Sequence, residues 1–75
     1  MNTKIHIGTL IKKKLEEEGR SFTWLARKLY RHRTAVNKMF QNPDMNTGQL
    51  VRISLILKYN FFRHYANDID SELNA

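Results

Sequence analysis

Apolar residues recur in this chain at spacings of three and four, in five short runs with polar breaks between them. The runs are Ile7, Leu10, Ile11 and Leu15; Phe22, Leu25, Ala26 and Leu29; Val36, Met39 and Phe40; the stretch from Leu50 to Leu57; and Phe61, Phe62 and Tyr65. Spacings of three and four put side chains on one face of an α-helix, whereas a half-buried strand would alternate every second residue. One Pro and three Gly in 75 residues, with few β-branched alternations, leave little to build a sheet from. The pattern therefore predicts an all-α fold of five short helices in a single small domain over residues 1–75, with its core over about 7–69 and polar ends.

The stop and start signals set the boundaries. Met1 to His6 reads as a loosely held arm. A first helix is expected from about Ile7 to Glu18, ended by Gly19 in a left-handed conformation. Ser21 stands where an N-cap belongs, ahead of a second helix of about two turns. Tyr30-Arg31-His32-Arg33 interrupts the apolar pattern without Gly or Pro, which suits a tight turn. A third helix is expected to start at Arg33 or Thr34 and to stop at Asn42-Pro43-Asp44. Asn46 or Thr47 caps the fourth, with Gln49 placed for an approximate capping box. Leu50, Val51, Ile53, Leu55, Ile56 and Leu57 make that helix apolar on more than one face, so it is expected to be the central, most buried one. Asn60 caps a fifth segment from Phe61 to about Ile69, and Asp70 to Ala75 reads as a fraying tail.

Several function classes fall away on composition. The chain has no Cys, so it has neither a disulfide framework nor thiolate metal ligands. Its three His are widely separated and form no metal-binding pair. No Ser/His/Asp or Cys/His set, metal cluster or phosphate loop is present, and so small a chain offers little room for a pocket. The expectation is a non-enzyme without cofactor, metal or small-molecule ligand. No apolar run approaches the roughly 20 residues that cross a bilayer. Lys12 to Lys14 interrupt the first apolar stretch, where a signal peptide would need continuity. A soluble cytoplasmic protein is expected.

Charge is what stands out. Arg20 to Gln41 (RSFTWLARKLYRHRTAVNKMFQ) contains six Lys or Arg and no acidic residue, while the rest of the chain has seven of each sign. One stretch thus supplies the whole formal charge of +6. It is also the stretch that holds the second and third helices, and a cationic helix–break–helix suits a polyanion. Once Val36, Met39 and Phe40 are turned inward, the third helix exposes Arg33, Thr34, Asn37, Lys38 and Gln41. These are side-chain types that read base edges in the major groove of duplex DNA.

On these residues the chain resembles the phage-repressor-like (lambda repressor/Cro, Xre-type) helix-turn-helix DNA-binding domains. The resemblance spans roughly Ile7 to Ile69. It rests on Ile7-Gly8 with Ile11, Gly19-x-Ser21, Leu25-Ala26-x-x-Leu29 with Val36 ten residues after Ala26, the apolar Leu50–Leu57 helix, and Phe61-Phe62-x-x-Tyr65. It implies a compact five-helix fold with the helix-turn-helix at helices two and three, acting as a repressor-type transcriptional regulator on double-stranded DNA. It assigns base reading to Arg33, Thr34, Asn37 and Lys38, and phosphate contact to Gln41 and Asn42, to which the charge pattern adds Arg27, Lys28 and Arg31. Three positions depart from the family. Phe22 stands where a phosphate-contacting Gln is frequent, and Leu15 replaces a frequent Arg. Tyr30 replaces a left-handed Gly, at a strain of about 1 kcal/mol if the turn is kept.

Other readings stay open beside this one. A homodimer through helices four and five would double the DNA contact. A small protein-interaction module, such as an antitoxin or adaptor, would instead use the apolar fifth helix and Trp24, and RNA could occupy the same basic stretch. Trp24 itself could cover a core edge, stack on a sugar–phosphate strand or meet another protomer. Phe61, Phe62 and Tyr65 have the composition of a base-stacking set but helical spacing, which suits core or dimer contact. The Lys12–Lys14 run reads as solvated surface beside Glu16–Glu18.

Overall fold

The computed structural model describes residues 5–75, and all the regular structure among them is helical. Most of the expected N-terminal arm lies outside the described residues. The elements are α1 (Ile7–Glu17), α2 (Phe22–Lys28), α3 (Arg33–Gln41), α4 (Thr47–Leu57) and α5 (Phe62–Leu73). One core holds them together: Ile7, Ile11 and Leu15 of α1, Leu25 and Ala26 of α2 with Leu29, Val36 and Phe40 of α3, Leu50, Ile53 and Leu57 of α4, and Phe61. Among the described residues no polar or charged residue is buried in it. α3 packs against both α1 and α2.

The ends of the helices follow local chemistry. Ser21 accepts a hydrogen bond from the Trp24 amide, and Asn46 accepts from the amides of Gly48 and Gln49. The capping box is only half made, because the side-chain oxygen of Gln49 is buried without a hydrogen-bond partner. His6, at the end of the expected loose arm, caps α1 by accepting from the Thr9 amide. α3 begins at Arg33, so Thr34 lies inside the helix and is not its cap; the N-cap His32 makes no side-chain cap bond.

Three helices end in a left-handed residue, and only one of these is glycine. Gly19, Tyr30 and Lys58 have φ of 68°, 56° and 53°. After each, the next amide closes back on the helix, as Arg20 to Leu15, Arg31 to Ala26 and Tyr59 to Ser54. The turn after α2 is thus built as a Gly-containing turn would be, with a Tyr that is 91 % exposed and gains no burial in return.

Gly8 meets a different constraint. A Cβ there would run into the backbone carbonyl of Phe40, 2.8 Å from its carbon and closer to its oxygen. α1 and α3 therefore cross backbone to backbone at this point.

Two expectations about the C-terminal half need correction. α4 is not the most buried helix: Val51 and Leu55 are 42 % and 73 % exposed, so its surplus apolar residues lie on the surface. The fifth helix does not end near Ile69, nor does the tail fray from Asp70, since α5 runs to Leu73. The N-cap of α5 is Phe61, which makes no side-chain cap bond; Asn60, the expected cap, lies one residue earlier and accepts from the Phe62 amide. Phe61 is core, and Phe62 and Tyr65 pack half-buried against it, so the three form no exposed stacking platform. Burial first and the Asp44 carboxylate second raise the Tyr65 phenol above its ordinary pKa.

Urea unfolding followed by far-UV circular dichroism should register the two backbone constraints with opposite signs. Tyr30→Gly is expected to stabilise the fold by about 1 kcal/mol, because it removes left-handed strain and loses no contact. Gly8→Ala is expected to destabilise it by about 1–3 kcal/mol, as overpacking does.

Candidate nucleic-acid interface

The orientation of α3 follows from what it buries. Val36 and Phe40 are in the core. The ring of Phe22, at the first turn of α2, meets Phe40 edge to face at 5.1 Å and 64°. This aromatic pair ties the start of α2 to the last turn of α3. On the other side, Arg33, Thr34, Asn37 and Lys38 are all exposed. Phe22, Arg33, Thr34 and Asn37 together line one open cavity of 340 Å³. Three of the four expected base-reading residues are therefore brought together around an apolar floor, with Lys38 exposed one turn further along the helix. The hydrogen-bonding groups of the three differ, a guanidinium fork, a hydroxyl and an amide, so the surface can both attract an anion and discriminate among acceptors.

A second cavity of 450 Å³ adjoins it, with Phe22 and Arg33 shared between the two. It brings Lys12 and Glu16 of α1, Arg20 and Ser21 just before α2, and Thr23 in its first turn up to Arg33. The Lys12 ammonium lies 5.6 Å from the centroid of the Phe22 ring. Lys12 is thus on the same side as the first turn of α3. Its neighbours in sequence go elsewhere: Lys14 pairs with Glu18 at 3.5 Å and lies over Tyr59, and Lys13 lines a groove with Tyr59, Phe61 and His64. One sequence signal could have separated them. Gly8, Lys12 and Leu15 share a helical face (i, i+4, i+7), and that face is the one meeting α3.

The remaining candidates are distributed. Arg27 and Arg31 are exposed, at the end of α2 and in the turn after it. Lys28 lies 5.8 Å from the Trp24 ring and lines a groove with Ile56, Leu57 and Lys58, apart from the Arg33–Asn37 cavity. Trp24 packs half-buried against the core and is also covered by Arg20 at 4.6 Å. Gln41 is exposed at the end of α3, and Asn42 accepts a hydrogen bond from the Asp44 amide, so its side chain already holds the following turn. Among the described residues no cluster of His, Cys, Asp or Glu could hold a metal ion, and no helix is long and apolar enough to cross a membrane. Compared with protein-family models, with curated proteins and with solved structures, the chain matches none.

The side on which Lys12 lies yields a salt test. On a random-sequence duplex, Lys12→Gln should reduce the slope of log K against log[salt] by about one unit, as removal of a phosphate contact does. Lys13→Gln should leave the slope unchanged. Fluorescence anisotropy over a salt series reads both, and equal slopes for the two variants would separate Lys12 from the surface.

Proposed function

We propose that the protein is a non-enzymatic, cytoplasmic, sequence-specific binder of double-stranded DNA and a repressor-type transcriptional regulator, of the phage-repressor-like class that its sequence resembles. In this reading α2 and α3 form the helix-turn-helix and α3 enters the major groove. The observation that carries it is the row of Arg33, Thr34, Asn37 and Lys38, exposed on a helix whose opposite face is held by the core and by Phe22. Lys12, Arg20 and Ser21 stand beside that row and supply the charge and donors that a phosphate strand would use.

The division of labour follows from the chemistry. Exposed cations displace counterions from phosphates, which gives affinity and register without sequence preference. Arg33 is suited to bidentate contact with guanine O6 and N7, and Asn37 with adenine N6 and N7. Arg27, Arg31 and Gln41 act on the phosphate backbone. Phe22, occupied against Phe40, leaves phosphate contact at the start of α2 to the Ser21 and Lys12 neighbourhood.

A module of this size buries only about 600–1,000 Å² on DNA. Two copies on half-sites about one helical turn apart would supply the rest, giving a palindromic operator. Support for pairing through α4 and α5 comes from their uncovered apolar residues, Val51 and Leu55 on one and Ile69 and Leu73 on the other. The same exposure is what favours the second reading, an antitoxin or adaptor whose main partner is another protein.

Selection from a random duplex library separates the readings. The wild-type chain should enrich an inverted repeat. Arg33→Ala and Asn37→Ala should each lose about 1–3 kcal/mol of discrimination at one base position per half-site, with nonspecific affinity for a random duplex weakened far less. If the two variants keep the wild-type preference, α3 does not read the bases.

A further inference from the structure

Behind the proposed reading face lies a second basic surface with a different make-up. Arg20, Lys28 and Lys58 surround Trp24 over an apolar floor of Ile56 and Leu57, in a groove of 470 Å³ that has one acidic residue, Glu18, at its rim. Arg20 and Lys28 lie 4.6 and 5.8 Å from the indole centroid. Glu18 already pairs with Lys14, and Arg20, Lys28 and Lys58 have no ion-pair partner among the described residues. Lys58 holds a left-handed conformation, φ 53°, that glycine would adopt at less cost, and in that place it adds the third cation. A groove that is cationic at its edges and apolar at its base fits a segment that is acidic at its edges and apolar along its middle.

The chain carries such a segment. In the last two turns of α5, Ile69 and Leu73 fall on one face and are 39 % and 78 % exposed. At about 100° per residue, Asp70 and Glu72 flank that face on either side. Both acids are exposed and have no ion-pair partner among the described residues. No residue of α5 is buried. Phe62 and Tyr65, on the same helical face as Ile69 and Leu73, pack half-buried against the core, so the apolar stripe is covered at the start of α5 and exposed toward its end. His64, Asn67 and Asp68 line a groove against Ile5, His6, Thr9 and Leu10. That seat is at the N-terminal end of α1, by Thr9, whereas the Trp24 groove is at the C-terminal end, by Glu18. The two sites are about 13 Å apart along α1. The end of α5 is therefore held away from the groove of its own chain.

We infer that the groove around Trp24 receives the acidic end of α5 from a second copy of this chain, with Ile69 and Leu73 over Trp24, Ile56 and Leu57, and Asp70 and Glu72 against Arg20, Lys28 and Lys58. The contact is made by the ends of α4 and α5 together with α2, and it rests on the pairing of copies proposed above while not depending on what α3 binds. Made reciprocally, it closes a two-fold dimer and leaves both α3 faces free.

The test is sedimentation velocity without DNA, with the fluorescence of Trp24, the only tryptophan of the chain, followed from micromolar to millimolar concentration. Wild type should self-associate with a blue shift of the indole emission. Arg20→Glu/Lys28→Glu and Asp70→Lys/Glu72→Lys should each weaken association about tenfold or more, since like charges then face each other across the interface. The chain carrying all four substitutions should regain association to within about threefold of wild type, because the signs are again opposite. Far-UV circular dichroism checks that each variant stays helical. A wild type that remains monomeric at millimolar concentration overturns the inference, and so does a reversal without effect or a loss that the fourfold variant does not restore. In each of those cases single-copy binding to a selected half-site would still stand or fall on Arg33 and Asn37 alone.

Discussion

The rest of the structure depends on the crossing of α1 and α3 over Gly8. With no side chain at position 8, the Phe40 backbone comes closer than any Cβ would permit. That approach sets the depth at which α3 sits and brings the ring of Phe40 to that of Phe22. Phe22 then forms the floor between Arg33, Thr34 and Asn37. Close-packed interiors transmit such constraints over short distances, because a displaced backbone has no void to move into. The absence of one methyl group in α1 is thus connected, through two aromatic rings, to the spacing of polar side chains on the outer face of α3.

Charge and apolar surface are separated on this small body. The proposed reading face has a mixed set of donors and acceptors around Phe22, while the groove around Trp24 is cationic with an apolar floor. The two lie on different sides of α2, a helix of only seven residues. A polyanion is attracted by both, and net charge acts at a distance, so the basic stretch as a whole favours encounter with a polyanion. Short-range chemistry is what distinguishes them: hydrogen-bonding groups of different shape can read base edges, and an indole between cations cannot. Pairing through the second surface would give each copy a neighbour without using Arg33, Thr34, Asn37 or Lys38, and Arg20 is the residue that borders both surfaces.

Local interactions were legible in the sequence and tertiary ones were not. The caps Ser21 and Asn46 and the stop at Gly19 need only residues within a turn of themselves, and they are found where the sequence puts them. The stripes that fill the core are equally local in origin. Hydrophobicity overstates the burial of α4, because it tells which residues prefer the interior but not how much interior there is. A core of five short helices covers Leu50, Ile53 and Leu57 and leaves Val51 and Leu55 outside. Asp70 and Glu72 look like tail residues, but Leu73, one turn after Ile69, continues the stripe and carries α5 past the expected end. Lys12 differs from its neighbours in sequence only by sharing a helical face with Gly8 and Leu15, a signal that takes its meaning from the position of α3. The spacing of Trp24 admits three readings, and its place between Arg20 and Lys28 depends on a rotamer that no spacing rule contains.

The most direct measurement is an amide chemical-shift titration of the ¹⁵N-labelled chain with a duplex enriched by selection. If α3 enters the major groove, the largest shifts should fall on Arg33, Thr34, Asn37 and Lys38, with a second group at Lys12 and Ser21 and little change around Ile69 and Leu73 beyond any dimer contact. Shifts centred on Trp24, Lys58 and the end of α5, with α3 unperturbed, would contradict the assignment of α3 as the DNA-reading helix.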